Sequence, residues 1–415
     1  MNLEETKAFA DLCLNCKNPM CRKGCPIETR IPEFISKIKN KQLEEAYKIL
    51  QDNNIMSEIC SIICPSENQC MGKCIKGIKG EPIRINDLEN FVNKWAEENN
   101  IDYKIKTKKT QNIKIAIIGS GPAGLACATE LLKEGIDVTI FEKEQALGGL
   151  LEYGIPDFRL PKRIVRKAIE KLKHAGLKIK LGKEFGKDFT IEQLKQEGFK
   201  KIFLAIGAGK SNVYSLSEEE NDKIYKSDNF LKNYSMQKKF PKLDNIIVIG
   251  GGNVAIDSAR VAKKIGAKKV TILYRRNREL MPARNIEIED ALNDGVEIDY
   301  LTRVISADIK DNKIKEVKCI KTKIENEKAI DILNSEFTVK ADAIIFAIGL
   351  VPDSELLKQN GIILENKLVK VNEKYETNIK DVYAGGDLVE TKSTVCRAIA
   401  TGKKVAKNIL ENIKD

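Results

Sequence analysis

Apolar residues recur at helical spacing through the first quarter of the chain and in short continuous runs after it. In "IPEFISKIKNKQLEEAYKILQDNN" the period predicts a helix from Pro32 to about Leu50, stopped at Asn53-Asn54. "INDLENFVNKWAEENN" places Leu88, Phe91, Val92 and Trp95 on one helix face. Residues 99–112 are polar and basic and read as a linker. At Ile113 the texture changes. "IKIAIIGSGPAGLACATELLKEGIDVTIFEK" is a buried strand, a glycine turn, a helix and a second strand, and "IIVIGGGNVAIDSARVAKKIGAKKVTILYRR", from 246, repeats that unit. Strands alternating with helices predict parallel sheets and an α/β class. "KIFLAIGAG" at 201–209 and "AIIFAIGL" at 343–350 are short apolar strands that end in glycine. They flank the second unit and read as crossovers into and out of an inserted domain. "DVYAGGDLVETKSTVCRAIATGKKVAKNIL" predicts a last strand, a Gly-Gly-Asp turn and a closing helix. The expected order is a helical region over 1–98, the linker, a nucleotide-binding domain in two parts (113–209 and 343–415), and a second nested within it (210–342).

Composition narrows the chemistry. The 415 residues, 42% of them hydrophobic, allow two or three packed domains. No apolar run is long enough to span a bilayer. "MNLEETKAFADLC" lacks the features of a secretory signal, so a cytoplasmic protein is expected, where stable disulfides are rare. The net charge of +11 is spread along the chain. It reads as a solvated surface or as a docking face for an acidic electron carrier. No nucleic-acid-binding module accompanies it. The one histidine, His174 in "IEKLKHAGLKI", sits near a helix end, where a cation is favoured. One histidine builds neither a Ser-His-Asp triad nor a His-rich metal site.

Gly119, Gly121 and Gly124 form G-x-G-x-x-G between a strand and a helix. The first permits the tight turn, the second lets backbone approach a pyrophosphate, and the third lets helix and strand pack closely. Glu142 ends the next strand, where a carboxylate can accept hydrogen bonds from ribose hydroxyls. The second unit has Gly250, Gly252 and Ala255 in G-x-G-x-x-A, with Asn253 between them. Arg275 and Arg276 stand where Glu142 stands in the first unit, and arginine suits a 2'-phosphate. Two nested nucleotide sites point to FAD and NADPH, with NADH the alternative to NADPH. Hydride transfer between them needs stacking and orientation rather than an acid or base, so no catalytic side chain is assigned.

Eight of the eleven cysteines lie between residues 13 and 74. The first group is "CLNCKNPMCRKGCP" and the second "CSIICPSENQCMGKC". Zinc sites usually pair C-x-x-C with a second C-x-x-C or with histidines, and only Cys13/Cys16 have that spacing. Three close cysteines followed by Cys-Pro are those of a ferredoxin run, in which the fourth cysteine serves the other cluster. Two [4Fe–4S] clusters follow, in a helical N-terminal domain. Spacing alone uses all eight cysteines and makes Cys60 a ligand. Cys127, Cys319 and Cys396 lie outside this region and form no C-x-x-C; Cys127, one turn after Gly124, and Cys396 read as packing residues.

These motifs, with "EKEQALGGLLEYGIPDFRLPK", "YRRNRELMPAR" and "AGGDLV", resemble the small-subunit family of NADPH-dependent glutamate synthase from about Cys13 to the C-terminus. Its relatives include the flavin/Fe–S half of dihydropyrimidine dehydrogenase and the large subunit of NADH-dependent ferredoxin:NADP oxidoreductase. The resemblance implies a helical Fe–S domain ahead of two nucleotide-binding domains. It implies one cluster on Cys13, Cys16, Cys21 and Cys74, and another on Cys25, Cys64, Cys70 and Glu89. Cys60 is then spare. It further implies that Gly149 and Leu150 border the flavin and that Asp387, after Gly386, holds the ribityl chain. Thr394 and Val395 would open a helix that faces the flavin ring. The implied activity is electron input from NADPH to a protein partner, a large subunit or a ferredoxin, that carries the substrate site. This chain has no glutaminase nucleophile arrangement and no FMN barrel. "GDLVETKSTVCRAIATGK" is nearer the dihydropyrimidine dehydrogenase branch, whereas "YRRNRELMPAR" and Glu89 are nearer glutamate synthase. A non-redox scaffold would show damaged glycine turns or missing ligands, and neither occurs.

Overall fold

The computed structural model describes residues 2–391 and 394–414. The chain forms two compact units, one of residues 1–152, 158–208 and 352–415, the other of 153–157 and 209–351. Among the described residues, no helix is long and apolar enough to cross a membrane.

The first unit begins with six helices: α1 (Leu3–Asp11), α2 (Met20–Gly24), α3 (Ile31–Lys39), α4 (Leu43–Asn53), α5 (Ser57–Ile63) and α6 (Ile85–Glu98). Asn2 and Glu5 start α1 with a capping box. The single helix expected from Pro32 to Leu50 is two. Asn40, Lys41 and Gln42 interrupt it, with Lys41 at φ +57, because no apolar side chain between Ile38 and Leu43 ties that turn to the core. The apolar stripe resumes with Leu43, Ala46, Tyr47 and Leu50, all buried. In α6, Leu88, Val92 and Ala96 are core residues, while Phe91 and Trp95 pack half-buried at its edge. A fully buried side chain such as Leu88 contributes about 2 kcal/mol of transfer free energy.

The sheet of this unit contains β1 (Lys114–Ile118), β2 (Asp137–Glu142), β3 (Lys178–Leu181), β4 (Phe199–Leu204) and the late strand Val382–Ala384. All pairings are parallel, in the order Val382–Ala384, β4, β1, β2, β3. Ile115 to Ile118 are buried at successive positions, as parallel strands covered on both faces require. Helix α7 (Pro122–Lys133) joins β1 to β2. The closing helix Val395–Lys414 lies against α7, and a Cβ at Gly402 would fall 2.1 Å from the Ala123 carbonyl oxygen. Glycine there sets how closely the two helices approach.

Lysines on the helices that flank this sheet tie α4 to it. Lys403 Nζ of the closing helix donates to the Asn53 carbonyl at 2.6 Å, and Lys133 Nζ to that of Asp52 at 3.1 Å. Lys171, in the helix Lys162–His174, donates to Gln51 Oε1 at 2.6 Å and to the Tyr47 hydroxyl at 3.1 Å. Burial pushes its ammonium down to about 8.

The second unit has a parallel sheet in the order Ile224–Lys226, Ala343–Phe346, Asn245–Ile249, Lys269–Tyr274, Glu297–Tyr300. An antiparallel meander of Thr302–Lys310, Lys313–Glu325 and Lys328–Lys340 accompanies it. The strand Ala343–Phe346, expected to lead back into the first domain, pairs with Asn245–Ile249 instead. The inserted unit therefore extends to Val351, and the chain re-enters the first unit at Pro352.

Candidate functional site

The first glycine turn joins β1 to α7. Gly119 has φ +99, in the region that favours glycine. A Cβ at Gly124 would lie 2.1 Å from the Gly119 carbonyl oxygen, whereas one at Gly121 would meet nothing within 4 Å. The third glycine is thus required for packing, and the second leaves open space beside the helix N-terminus. Glu142, buried at the end of β2, accepts from the Ser120 amide at 3.0 Å and hydroxyl at 2.5 Å, and from the Glu144 amide at 2.9 Å. Ser120 Oγ in turn accepts from the Gly148 amide at 3.0 Å. These bonds hold the carboxylate beside the turn, with acceptor capacity left on Oε1, which takes only the Glu144 amide, while Oε2 already accepts two.

Two of the other expected segments, Gly149-Leu150 and Gly386-Asp387, lie beside that turn. Gly149, at φ +54, lies so close that its Cβ would sit 3.0 Å from Gly121 Cα, and Leu150 beside it is 43% exposed. Gly386 and Asp387 form a short 3-10 turn next to α7, where the Gly386 amide donates to Thr401 Oγ1 at 2.9 Å. Thr394 Oγ1 accepts from the Arg397 amide at the start of the closing helix, which Val395 opens.

The second unit repeats the geometry. Gly250 has φ +143, and its Cβ would lie 2.2 Å from the Ala347 carbonyl oxygen. Gly252 faces open space, and Ala255 is fully buried. Asn253 opens the helix Asn253–Lys264, and its Oδ1 accepts from the Arg284 amide at 3.0 Å. Arg275 is exposed at the end of Lys269–Tyr274. Arg276 is half-buried, and its Nε has no hydrogen-bond partner among the described residues. A buried guanidinium donor left over at this position matches an anionic ligand.

The N-terminal cysteines surround two separate hollows. Cys13, Cys16, Cys21 and Cys74 line the first. Burial pushes the Cys21 thiol up to about 11. Cys25, Cys60, Cys64, Cys70, Glu89 and Cys396 line the second. Among the described residues no three such groups converge as a single metal ion needs. Donors spread around a hollow fit a cluster, whose irons each take one thiolate, better than one tetrahedral zinc. The cysteines are all free thiols.

The second hollow is the deeper one. Burial, and then the neighbouring Cys396, push the Glu89 carboxyl up to about 8. Cys60 is buried in α5, and Asn54 Nδ2 donates to its sulfur at 3.4 Å. Cys396 was expected to be a packing residue. It is buried, as packing requires, but its Sγ lies 3.6 Å from Cys64 Sγ, 3.2 Å from Gln69 Oε1 and 3.0 Å from Thr394 Oγ1. The proton shared with Cys64 holds the Cys396 thiol below its ordinary range and raises that of Cys64. Cys396 stands 332 residues from Cys64, so no local spacing could have pointed to it. Cys127 and Cys319, by contrast, are buried apart from either hollow.

Residues 113–402 match the family profile described as pyridine nucleotide-disulphide oxidoreductase, and residues 1–101 match dihydropyrimidine dehydrogenase domain II, 4Fe-4S cluster. The glutamate synthase [NADPH] small chain of Escherichia coli (strain K12) is 31% identical over 98% of this chain and 91% of its own length. The NAD-dependent dihydropyrimidine dehydrogenase subunit PreT of Escherichia coli O157:H7 is 33% identical over 96% and 92%. Among solved structures, FprA of Mycobacterium tuberculosis in complex with NADPH superposes with a TM-score of 0.63 at 16% identity. That match covers 73% of this chain and 85% of FprA, and it shows a shared fold. The glycine turns, the cysteine hollows and these likenesses together identify the chain as a member of the pyridine nucleotide-disulphide oxidoreductase family, an FAD- and Fe–S-dependent NAD(P)H oxidoreductase.

Proposed function

We propose that this chain is an electron-input subunit that takes hydride from NADPH and hands single electrons, by way of FAD and two [4Fe–4S] clusters, to a partner protein holding the substrate site. The observation that carries this is the pairing of two cysteine-lined hollows with a glycine turn in one compact unit. When bound, the flavin and clusters supply the conversion of two-electron into one-electron transfer.

The chain's own residues bind and orient. Gly119, Gly121 and Gly124 admit the FAD pyrophosphate to the α7 N-terminus, and Glu142 accepts from the ribose. Gly149 and Leu150 border the flavin, while Gly386 and Asp387 hold its ribityl chain. Thr394 and Val395 present the positive end of the closing helix to the ring. In the second unit, Gly250, Gly252, Asn253 and Ala255 seat the NADPH pyrophosphate. Arg275 and Arg276 receive the 2'-phosphate. Cys13, Cys16, Cys21 and Cys74 hold one cluster, and Cys25, Cys64, Cys70 and Glu89 the other. Of the two readings of the eighth ligand, buried Glu89 is favoured over Cys60 because no described side chain pairs with its carboxylate, whereas the Cys60 sulfur already accepts from Asn54. The partner is supported by relatives that carry the words small chain and subunit in their names.

A second reading, an NAD-dependent dihydropyrimidine dehydrogenase subunit, is favoured by the N-terminal match and by PreT. Anaerobic titration with NADPH and NADH in parallel, followed by visible absorption, separates the two. We expect NADPH to bleach both the flavin bands and the broad Fe–S absorption. Replacing Arg275 and Arg276 by alanine should cost NADPH about 10- to 100-fold in affinity, the loss of charged hydrogen bonds, and leave NADH nearly unchanged. A parent protein with bound FAD that neither nucleotide bleaches overturns the assignment of the second glycine turn.

A further inference from the structure

The surface around the first hollow differs from the rest of the molecule in both charge and polarity. Leu14, Met20 and Ile75 line that hollow and are nonetheless 63%, 39% and 42% exposed. Ile78, on the same short helix as Ile75, is 77% exposed. Scattered exposed leucines are ordinary, but exposed large side chains gathered at the mouth of one cavity mark an interaction site. The two segments that build this mouth, 12–25 and 70–80, contain six basic residues and no carboxylate. Over the whole chain the count is 71 basic to 60 acidic residues, so the local excess is not an average property. Lys17, Lys23, Lys73 and Lys79 are exposed and enter no ion pair among the described residues. Positive charge is thus concentrated around an apolar centre that sits directly over four cysteines.

We propose that this face is the docking site for a small acidic iron–sulfur carrier of the ferredoxin type, which receives electrons at the first cysteine hollow. The proposal rests on the electron-input function above. Unpaired lysines around a small apolar centre suit a transient encounter, in which charge raises the association rate and the apolar centre excludes water between the two redox groups. A stable subunit would instead cover a larger and more hydrophobic surface. Carboxylates on the carrier supply the complement that this chain's own segments lack.

The test uses the full cofactor-loaded protein and a purified acidic [2Fe–2S] ferredoxin as the probe. Two rates are measured: NADPH-driven reduction of the ferredoxin, and NADPH-driven reduction of ferricyanide, which needs no protein docking. Raising ionic strength from about 0.01 to about 1 M contracts the screening length from about 30 to about 3 Å. Ferredoxin reduction should fall at least tenfold across that range, with ferricyanide reduction nearly constant. The triple variant Lys17→Glu, Lys73→Glu, Lys79→Glu should lose a similar factor at low salt and retain iron content and ferricyanide turnover. Ile78→Asn, which removes the apolar contact without adding charge, should weaken ferredoxin binding in a sensor assay without changing the salt slope. Ferredoxin reduction indifferent to salt and to charge reversal, with ferricyanide turnover intact, overturns the docking site. So does a salt-resistant complex with a stable subunit that covers these lysines. Absence of ferricyanide turnover in the parent protein overturns the electron-input function itself, and the docking site with it.

Discussion

The two cysteine hollows draw most of their lining from residues 13–89 and yet face opposite problems. The first is bounded by half-exposed cysteines and opens among lysines and exposed apolar side chains. The second is closed by α5, α6 and the start of the closing helix, and it contains buried Cys60, Cys70, Glu89 and Cys396. A group at the first hollow is accessible to another protein. A group at the second is accessible to this chain's own nucleotide-binding unit, through the helix that begins at Val395. Position thus distinguishes an outer hollow from an inner one, the stations of the proposed function, although both are lined largely by cysteines. On the proposed ligand sets the same contrast predicts different electronic character, because burial and an oxygen ligand would both tune a cluster's potential.

The largest effect expected is the loss of one station without the other. Cys74 is the only cysteine of the second sequence group that lines the first hollow. Cys74→Ala should remove about half of the iron and sulfide, the share of one cluster in two. The paramagnetic signal of the inner cluster should persist on reduction. Iron analysis with low-temperature EPR checks this. A variant that keeps its full iron complement, or that loses all of it while still folded, breaks the division into two independent hollows.

Much of this arrangement is local, and therefore legible in sequence. The glycine turns depend on neighbours within a few residues, as the Gly124 Cβ position against the Gly119 carbonyl shows. Cysteines 13 to 25 likewise share one loop and one short helix. What could not be read depends on contacts far apart in the chain. Cys396 meets Cys64 only because Gly402 lets the closing helix settle on α7. The strand Ala343–Phe346 looked like the edge of the first domain because its composition is that of any buried parallel strand. Only its pairing with Asn245–Ile249 assigns it to the second. The meander of 302–340 is hard to read because Ile330, Ile332 and Leu333 occupy exposed positions of Lys328–Lys340, so its apolar residues do not mark one face. The break at Lys41 needed the backbone conformation itself.

A smaller effect tests the chemistry of the inner station. Glu89→Ala removes an oxygen donor from a buried site and should destabilise only the inner cluster, seen as partial iron loss and a changed EPR line shape. Glu89→Cys should restore full iron and move that cluster's potential downward, since a thiolate donates more charge than a carboxylate. Cys60→Ala should leave iron and potential unchanged and cost only packing, about 1 kcal/mol, measured by denaturant unfolding. If Cys60→Ala sheds iron and Glu89→Ala does not, the ligand roles of these two residues are exchanged.

The smallest effect is the sharpest probe of the comparison, because the outer hollow has no equivalent of Cys396. Four irons of a cube hold their terminal sulfurs well apart, so thiols 3.6 Å from each other cannot both be ligands of one cluster in this geometry. In this geometry Cys64 donates to Cys396; once Cys64 gives up its proton to bind iron, the bond can persist only with the Cys396 thiol donating back. Donation to a cluster sulfur stabilises the reduced, more negative form. Cys396→Ala should therefore keep the full iron content and lower the inner midpoint potential by about 40 mV, the one-electron equivalent of a net hydrogen bond of about 1 kcal/mol. Cys396→Ser keeps a donor and should recover most of the shift. The outer cluster's potential should not move in either variant, which separates a specific bond from a general loosening of the unit. Loss of iron in Cys396→Ala would instead make Cys396 the ligand and Cys64 its neighbour, and the inner station would then be held directly by the closing helix.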